Sequence, residues 1–169
     1  ALFEDSKLIA NDYAEIGRGH AEKLVPMIAA LPDSGRADKI IVNCGPGSFT
    51  GLRIGISAAK ALALAWEAEL QGYQCLQFLA VQELAAIENS QPIFACMLAG
   101  HGELFVQNFS ETGVARDELE SLDPETAIGK MQSTTVVGSG STMLAAIQSE
   151  IVDAYNQYRF HLIYQKLHN

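Results

Sequence analysis

Apolar positions along the chain switch between two periods. In "GHAEKLVPMIAAL", Leu24, Met27, Ile28 and Leu31 recur at three- and four-residue steps, which predicts an amphipathic helix. Pro26 removes one backbone hydrogen bond inside it and predicts a local kink. Ahead of this helix, "ALFEDSKLIANDYAEI" holds two short apolar-rich runs about Glu4-Asp5-Ser6, the pattern of a hairpin. "PDSGRAD" is a turn cluster, and the β-branched run "KIIVNC" predicts a buried strand. A seven-residue loop follows, Gly45, Pro46, Gly47, Ser48, Phe49, Thr50 and Gly51, and then a long helical pattern over residues 50–66. "GYQCLQFL" reads as a strand and "AVQELAAIE" as a helix.

The second half repeats the alternation. "IFACML" and "ELFVQNF" flank Ala99-Gly100-His101-Gly102, a hairpin signature. "DPETAIGKM" has Asp123 placed as N-cap and Pro124 at the first helical position. "TTVVGSGST" reads as a strand entering a glycine turn, and the remainder carries an amphipathic helical pattern. Alternating β and α segments predict an α/β protein, with a first lobe over residues 1–88 and a second over 89–169.

Composition narrows the function. Apolar residues make up 49% and charged ones 18%, enough for a real core. The formal charge of −9 repels a phosphate backbone, so nucleic acid would be reached only indirectly, through another protein. Cys44, Cys75 and Cys96 sit widely spaced in apolar runs, which predicts buried thiols in a reducing compartment. The longest apolar segment contains Lys60 and is too short to span a bilayer, and acids occupy the place where a signal peptide needs basic residues. The expectation is a cytoplasmic protein without membrane contact.

The glycine loop fails the phosphate-loop pattern, because Gly51 is followed by Leu52 and Arg53 where Lys and Ser or Thr are needed. It also misses the dinucleotide fingerprint by one residue and the nucleophile elbow at Ser48. Its residues can simply shape a tight strand-to-helix turn capped by Ser48 or Thr50. In the following helix, Gly51, Gly55, Ala59 and Ala63 recur every fourth residue. Such a stripe permits close helix approach, either to the chain's own sheet or to another subunit. Leu52, Arg53, Ile56 and Lys60 mix apolar and basic groups beside it, which suits a subunit contact.

The string "GPGSFTGLRIGISAAKALALA" strongly resembles the signature of the TsaB (YeaZ) family, whose proteins have the two-lobed actin-like, ribonuclease H-like ATPase fold. "GHAEKLVPMI", "GHGELFVQNF" and "VVGSGS" resemble that family's first helix, second-lobe hairpin and a later glycine turn. The resemblance is dense over residues 19–65, patchy to 141, and does not extend over the last two dozen residues. Set against the family pattern, the sequence is expected to start after the family's first strand, and it reads Leu98-Ala99-Gly100 where relatives tend to carry an acid and a base.

This resemblance implies a non-catalytic scaffold in making N6-threonylcarbamoyladenosine at position 37 of tRNAs that read ANN codons. The implied partners are a TsaD-like paralogous transferase and a TsaE-like ATPase, with tRNA met only indirectly. Contact with the transferase would run through helices matching residues 19–31 and 50–66, and the same helices support a homodimer. The expected interface residues are His20, Leu24, Met27, Gly51, Leu52, Arg53, Gly55, Ile56, Ala59 and Lys60. The loop from Gly45 to Thr50 is expected to set the departure angle of the second helix. The paralogous enzyme's H-x-x-x-H metal motif is broken, since Leu24 stands four places after His20. No cofactor is therefore expected on the chain alone, and ATP or ADP only at a joint surface with partners. The competing expectation is a nucleotide-dependent transferase or hydrolase using residues 45–51 and "VVGSGST" as phosphate clamps. A metalloprotease-like protein is a third and would need ligands not found here.

Overall fold

The computed structural model describes residues 1–15 and 19–149. The helical pattern expected beyond residue 149 lies outside them. The protein is a mixed α/β chain that divides into two compact units, the first ending at Cys75 and the second beginning at Leu76.

In the first unit, β1 (Leu2–Glu4) and β2 (Lys7–Ala10) form an antiparallel hairpin turning through Asp5 and Ser6, both at positive φ. Helix α1 (His20–Ala29) follows Gly19, whose φ of 80° is the left-handed conformation that glycine adopts freely. Pro26 sits inside α1, and the Ala30 N–H still reaches the Pro26 carbonyl at 3.0 Å as the helix closes. Strands β3 (Lys39–Asn43) and β4 (Glu69–Tyr73) pair in parallel, joined by the crossover helix α2 (Phe49–Trp66), which packs on both. A parallel pair needs such a long connection, and a helix supplies it. The Lys39–Glu69 ion pair across β3 and β4 spans 3.1 Å but is largely exposed, so it contributes little.

The second unit is a three-layer arrangement. Its sheet has the order β7-β6-β5-β8, built from β5 (Ile93–Leu98), β6 (Leu104–Phe109), β7 (Glu120–Leu122) and β8 (Val136–Val137). Only the β5–β8 pair is parallel. Strand β5 sits inside the sheet and is apolar on both faces. Ile93 and Ala95 join Leu76, Ala80 and Phe109 on the side of α3 (Cys75–Ala86). Phe94 and Cys96 join Leu104, Val106, Ala127 and Leu144 on the other side, against α4 (Pro124–Lys130) and the helical residues 141–149. Each fully buried Phe, Ile or Leu here contributes about 1.5–3 kcal/mol. The α4 start is as expected: the Asp123 carboxylate accepts the Thr126 N–H at 3.0 Å and the Thr126 hydroxyl at 2.6 Å, ahead of Pro124.

Three expectations need correction. Strand β3, expected to be buried, has no fully buried residue and leaves Ile41 61% exposed, since β4 is its one neighbour among the described residues. "CLQFL" is the first turn and a half of α3 rather than the end of a strand. Leu76, Leu79, Ala80 and Leu84 fall at helical steps on one buried or half-buried face, whereas Phe78 is exposed. Cys44, expected to be buried, is exposed just past the end of β3, although its N–H still donates to the Tyr73 carbonyl of β4 at 2.8 Å. Cys75 and Cys96 are buried, and burial pushes the Cys96 thiol up to about 11, against the lowering effect of the Gly140 N–H. A disulfide-exchange reagent at neutral pH is therefore expected to label one of the three thiols in the folded chain, Cys44, and all three in urea. Peptide mapping of the first-labelled site checks this; labelling of Cys96 at the same rate would refute it.

Candidate functional site: the face of the paired helices

The loop between β3 and α2 is tied at both ends by its own chemistry. Asn43 Oδ1 accepts the Gly45 N–H at 2.8 Å, and the Gly45 carbonyl accepts the Cys75 N–H at 2.8 Å. The Cys75 thiol donates to the Pro46 carbonyl at 3.1 Å. Ser48 caps α2, its Oγ accepting the Gly51 N–H at 3.4 Å and its carbonyl the Leu52 N–H at 2.9 Å. Gly45 has φ 112°, and a Cβ there would meet Leu52 Cδ1 at 3.2 Å. Two amides that a phosphate would need, those of Gly45 and Gly51, already donate to side chains. The loop is built as a fixed corner.

The small-residue stripe does not stay on one side of α2. An α-helix turns about 100° per residue, so each four-residue step advances about 40° round the axis. Gly51 and Gly55 are half-buried, and a Cβ on Gly55 would meet nothing within 4 Å. Ala59 and Ala63, further round, are buried. Ala59 is thus packed inside its own unit, a correction to its expected place on the contact surface. Leu52 is half-buried under the loop, and Ile56 is half-buried on the same inward side.

Facing outward is a different line: Phe49, Arg53, Ser57, Lys60 and Leu64, all exposed, with Leu64 at 83%. Sequence reasoning placed Phe49 in the loop and passed over Ser57 and Leu64. Plotting α2 at 100° per residue would have found all three. On α1, His20 is exposed, while Leu24 and Met27 are half-buried. Between the two helices runs an open groove of about 360 Å³, lined by Leu24 and Val25 from α1 and by Arg53, Ile54, Ser57 and Ala58 from α2. Its walls are mostly apolar, Val25 is half-exposed beside it, and Arg53 supplies a cation at its rim.

The second glycine turn also serves structure. Ser139 Oγ accepts the Leu98 N–H at 3.0 Å, and the Gly140 N–H donates to the Cys96 carbonyl at 3.2 Å. His101 is an exposed turn residue at φ 63°. Among the described residues, no helix is long and apolar enough to cross a membrane.

The chain is similar to known proteins in both sequence and fold. The model of a family described as TsaD: tRNA N6-adenosine threonylcarbamoyltransferase matches residues 13–148. The chain is 29% identical over 153 residues to the tRNA threonylcarbamoyladenosine biosynthesis protein TsaB of Escherichia coli, a match covering 83% of this chain and 65% of that protein. The protein of the same name in Bacillus subtilis is 33% identical over 85 residues, covering 47% and 37%. The chain thus spans less than two thirds of the length of both. Among solved structures, YeaZ from Pseudomonas aeruginosa is similar with a TM-score of 0.62 and 26% identity, over 80% of this chain and 67% of that one.

Proposed function

The chain belongs to the TsaB (YeaZ) family, on a domain shared with the TsaD transferases, and from that premise we propose that it is the accessory subunit in the biosynthesis of N6-threonylcarbamoyladenosine in tRNA. In this reading the two compact units are the lobes of an actin-like fold. The chain pairs with a TsaD-like transferase through α1 and α2, works beside a TsaE-like ATPase, and performs no chemistry of its own. The observation that carries the proposal is the apolar groove between α1 and α2, with Val25 half-exposed on its wall and Phe49 and Leu64 exposed elsewhere on α2. Apolar side chains grouped beside an open groove are what a subunit contact buries. The net charge of −9 fits a subunit that reaches RNA through its partner.

The test is purification of the full chain together with the TsaD-family transferase of the same genome. A stable complex is expected, and tRNA threonylcarbamoylation by the transferase should depend on it. Val25→Asp places a charge at the groove wall and should weaken the complex on the order of tenfold while leaving the melting curve of the free chain intact. Titration calorimetry against ATP tests the rival reading. Micromolar nucleotide binding by the isolated chain, with no complex formed, would overturn the proposal.

A further inference from the structure

The outward line of α2 is chemically lopsided. Phe49, Arg53, Ser57, Lys60 and Leu64 fall within about 80° of one another when viewed down the axis. Two of the five are cations. None of the 18 residues of α2 is a carboxylate, in a chain whose acids outnumber its Lys and Arg by 20 to 11. Ion pairs elsewhere in the chain take up Lys39, Arg116 and Lys130. Among the described residues, neither Arg53 nor Lys60 has a carboxylate within 4.0 Å. The Arg53 guanidinium carbon instead lies 3.5 Å from the centroid of the Phe49 ring. Stacking holds the planar fork against the ring while its N–H edges stay available, an arrangement ready for bidentate recognition of a carboxylate.

Residues seven apart on a helix return to the same side about 10 Å further along. Resting on the reading of the α1/α2 face as the subunit contact, we infer that its occupant is a helix with an apolar ridge flanked by two carboxylates roughly 10 Å apart, one for Arg53 and one for Lys60. A second copy of this chain answers poorly to that description. Its α2 has no acid, and its α1 has only Glu22. Docking two copies face to face would also set the cations of one against those of the other, at a cost in electrostatic energy. The charge pattern therefore selects an acid-bearing partner over self-association.

Replacing both cations by methionine keeps length and apolar stem while removing charge. The Arg53→Met/Lys60→Met chain should bind the TsaD-family transferase about tenfold more weakly at low salt, with little remaining salt dependence. Sedimentation of the same variant alone should show stronger self-association than the native chain at low salt. Ser57→Trp supplies the second arm, since a bulky group at the exposed centre of the line blocks docking by shape. If Ser57→Trp abolishes binding and the double methionine variant keeps native affinity and salt slope, the contact face stands and the carboxylate-matching inference falls. If Ser57→Trp binds like the native chain, the contact face itself is elsewhere and both fall.

Discussion

Gly138→Ala is expected to lose most of the stability of the second unit. Gly138 has φ 102°, a conformation that L side chains rarely adopt, and an added Cβ would overlap the carbonyl oxygen of Cys96 and press on Leu79 Cδ1 at 3.2 Å. Leu79 can shift its side chain, but the backbone carbonyl cannot yield cheaply. Cys96 is fully buried in β5, between β6 and β8, and its carbonyl also holds the Gly140 N–H. Overpacking at a rigid site combined with backbone strain costs at least about 3 kcal/mol. Urea unfolding followed by circular dichroism measures it, with Gly129→Ala as the contrast. Gly129 lies in α4 with open space at its Cβ, so alanine there should stabilise by about 0.5–1 kcal/mol. Equal midpoints for the two variants would mean that the turn does not approach β5 as described.

The second large effect is expected at Asn108, the one buried polar residue in the core of the described chain, at 2% exposure. Its Nδ2 donates to Asp117 Oδ2 at 2.6 Å and to the Lys130 carbonyl at 3.0 Å, while its Oδ1 accepts the Gln132 N–H at 3.0 Å. One amide thereby fastens the end of β6 to the Asp117 loop and to the end of α4. Asn108→Leu strands a carbonyl, an N–H and a carboxylate oxygen at once. Buried polar groups left without partners cost about 1–3 kcal/mol each, so the network loss should reach about 3 kcal/mol after relaxation. A thermal melt that barely moves would show that water replaces the amide freely.

Much of the fold was legible because local chemistry and tertiary demand coincide. Strands β3, β5 and β6 show as β-branched or continuous apolar runs, and the α4 start is spelled by Asp123 and Pro124. The miss at α3 came from a short run, "CLQFL", whose apolar content fits either period. Burial of Leu76 and Ala80 against β5, a long-range fact, decides it for the helix. At the candidate site the sequence singled out the two helices that line the groove, but it set Ala59 on the outward face. Gly51, Gly55, Ala59 and Ala63 look collinear on paper because spacing by four is close to a turn. The residual rotation carries Ala59 and Ala63 under the helix. Arg53 and Lys60 were named as rim charges, yet that no carboxylate among the described residues reaches either became visible only with side chains in place.

That rotation has a consequence for how α2 can vary. Its underside is fitted to β3 and β4, and its outer line presents a ring-stacked cation and a second one two turns on. Exchanging one exposed residue for another disturbs a single side. Deleting one residue between Gly55 and Ala59 would instead spin everything downstream by about 100°. Lys60 would swing away from Arg53 and alanines would rise to the outside in the same event. The middle of this helix should therefore accept spelling changes and refuse changes of length.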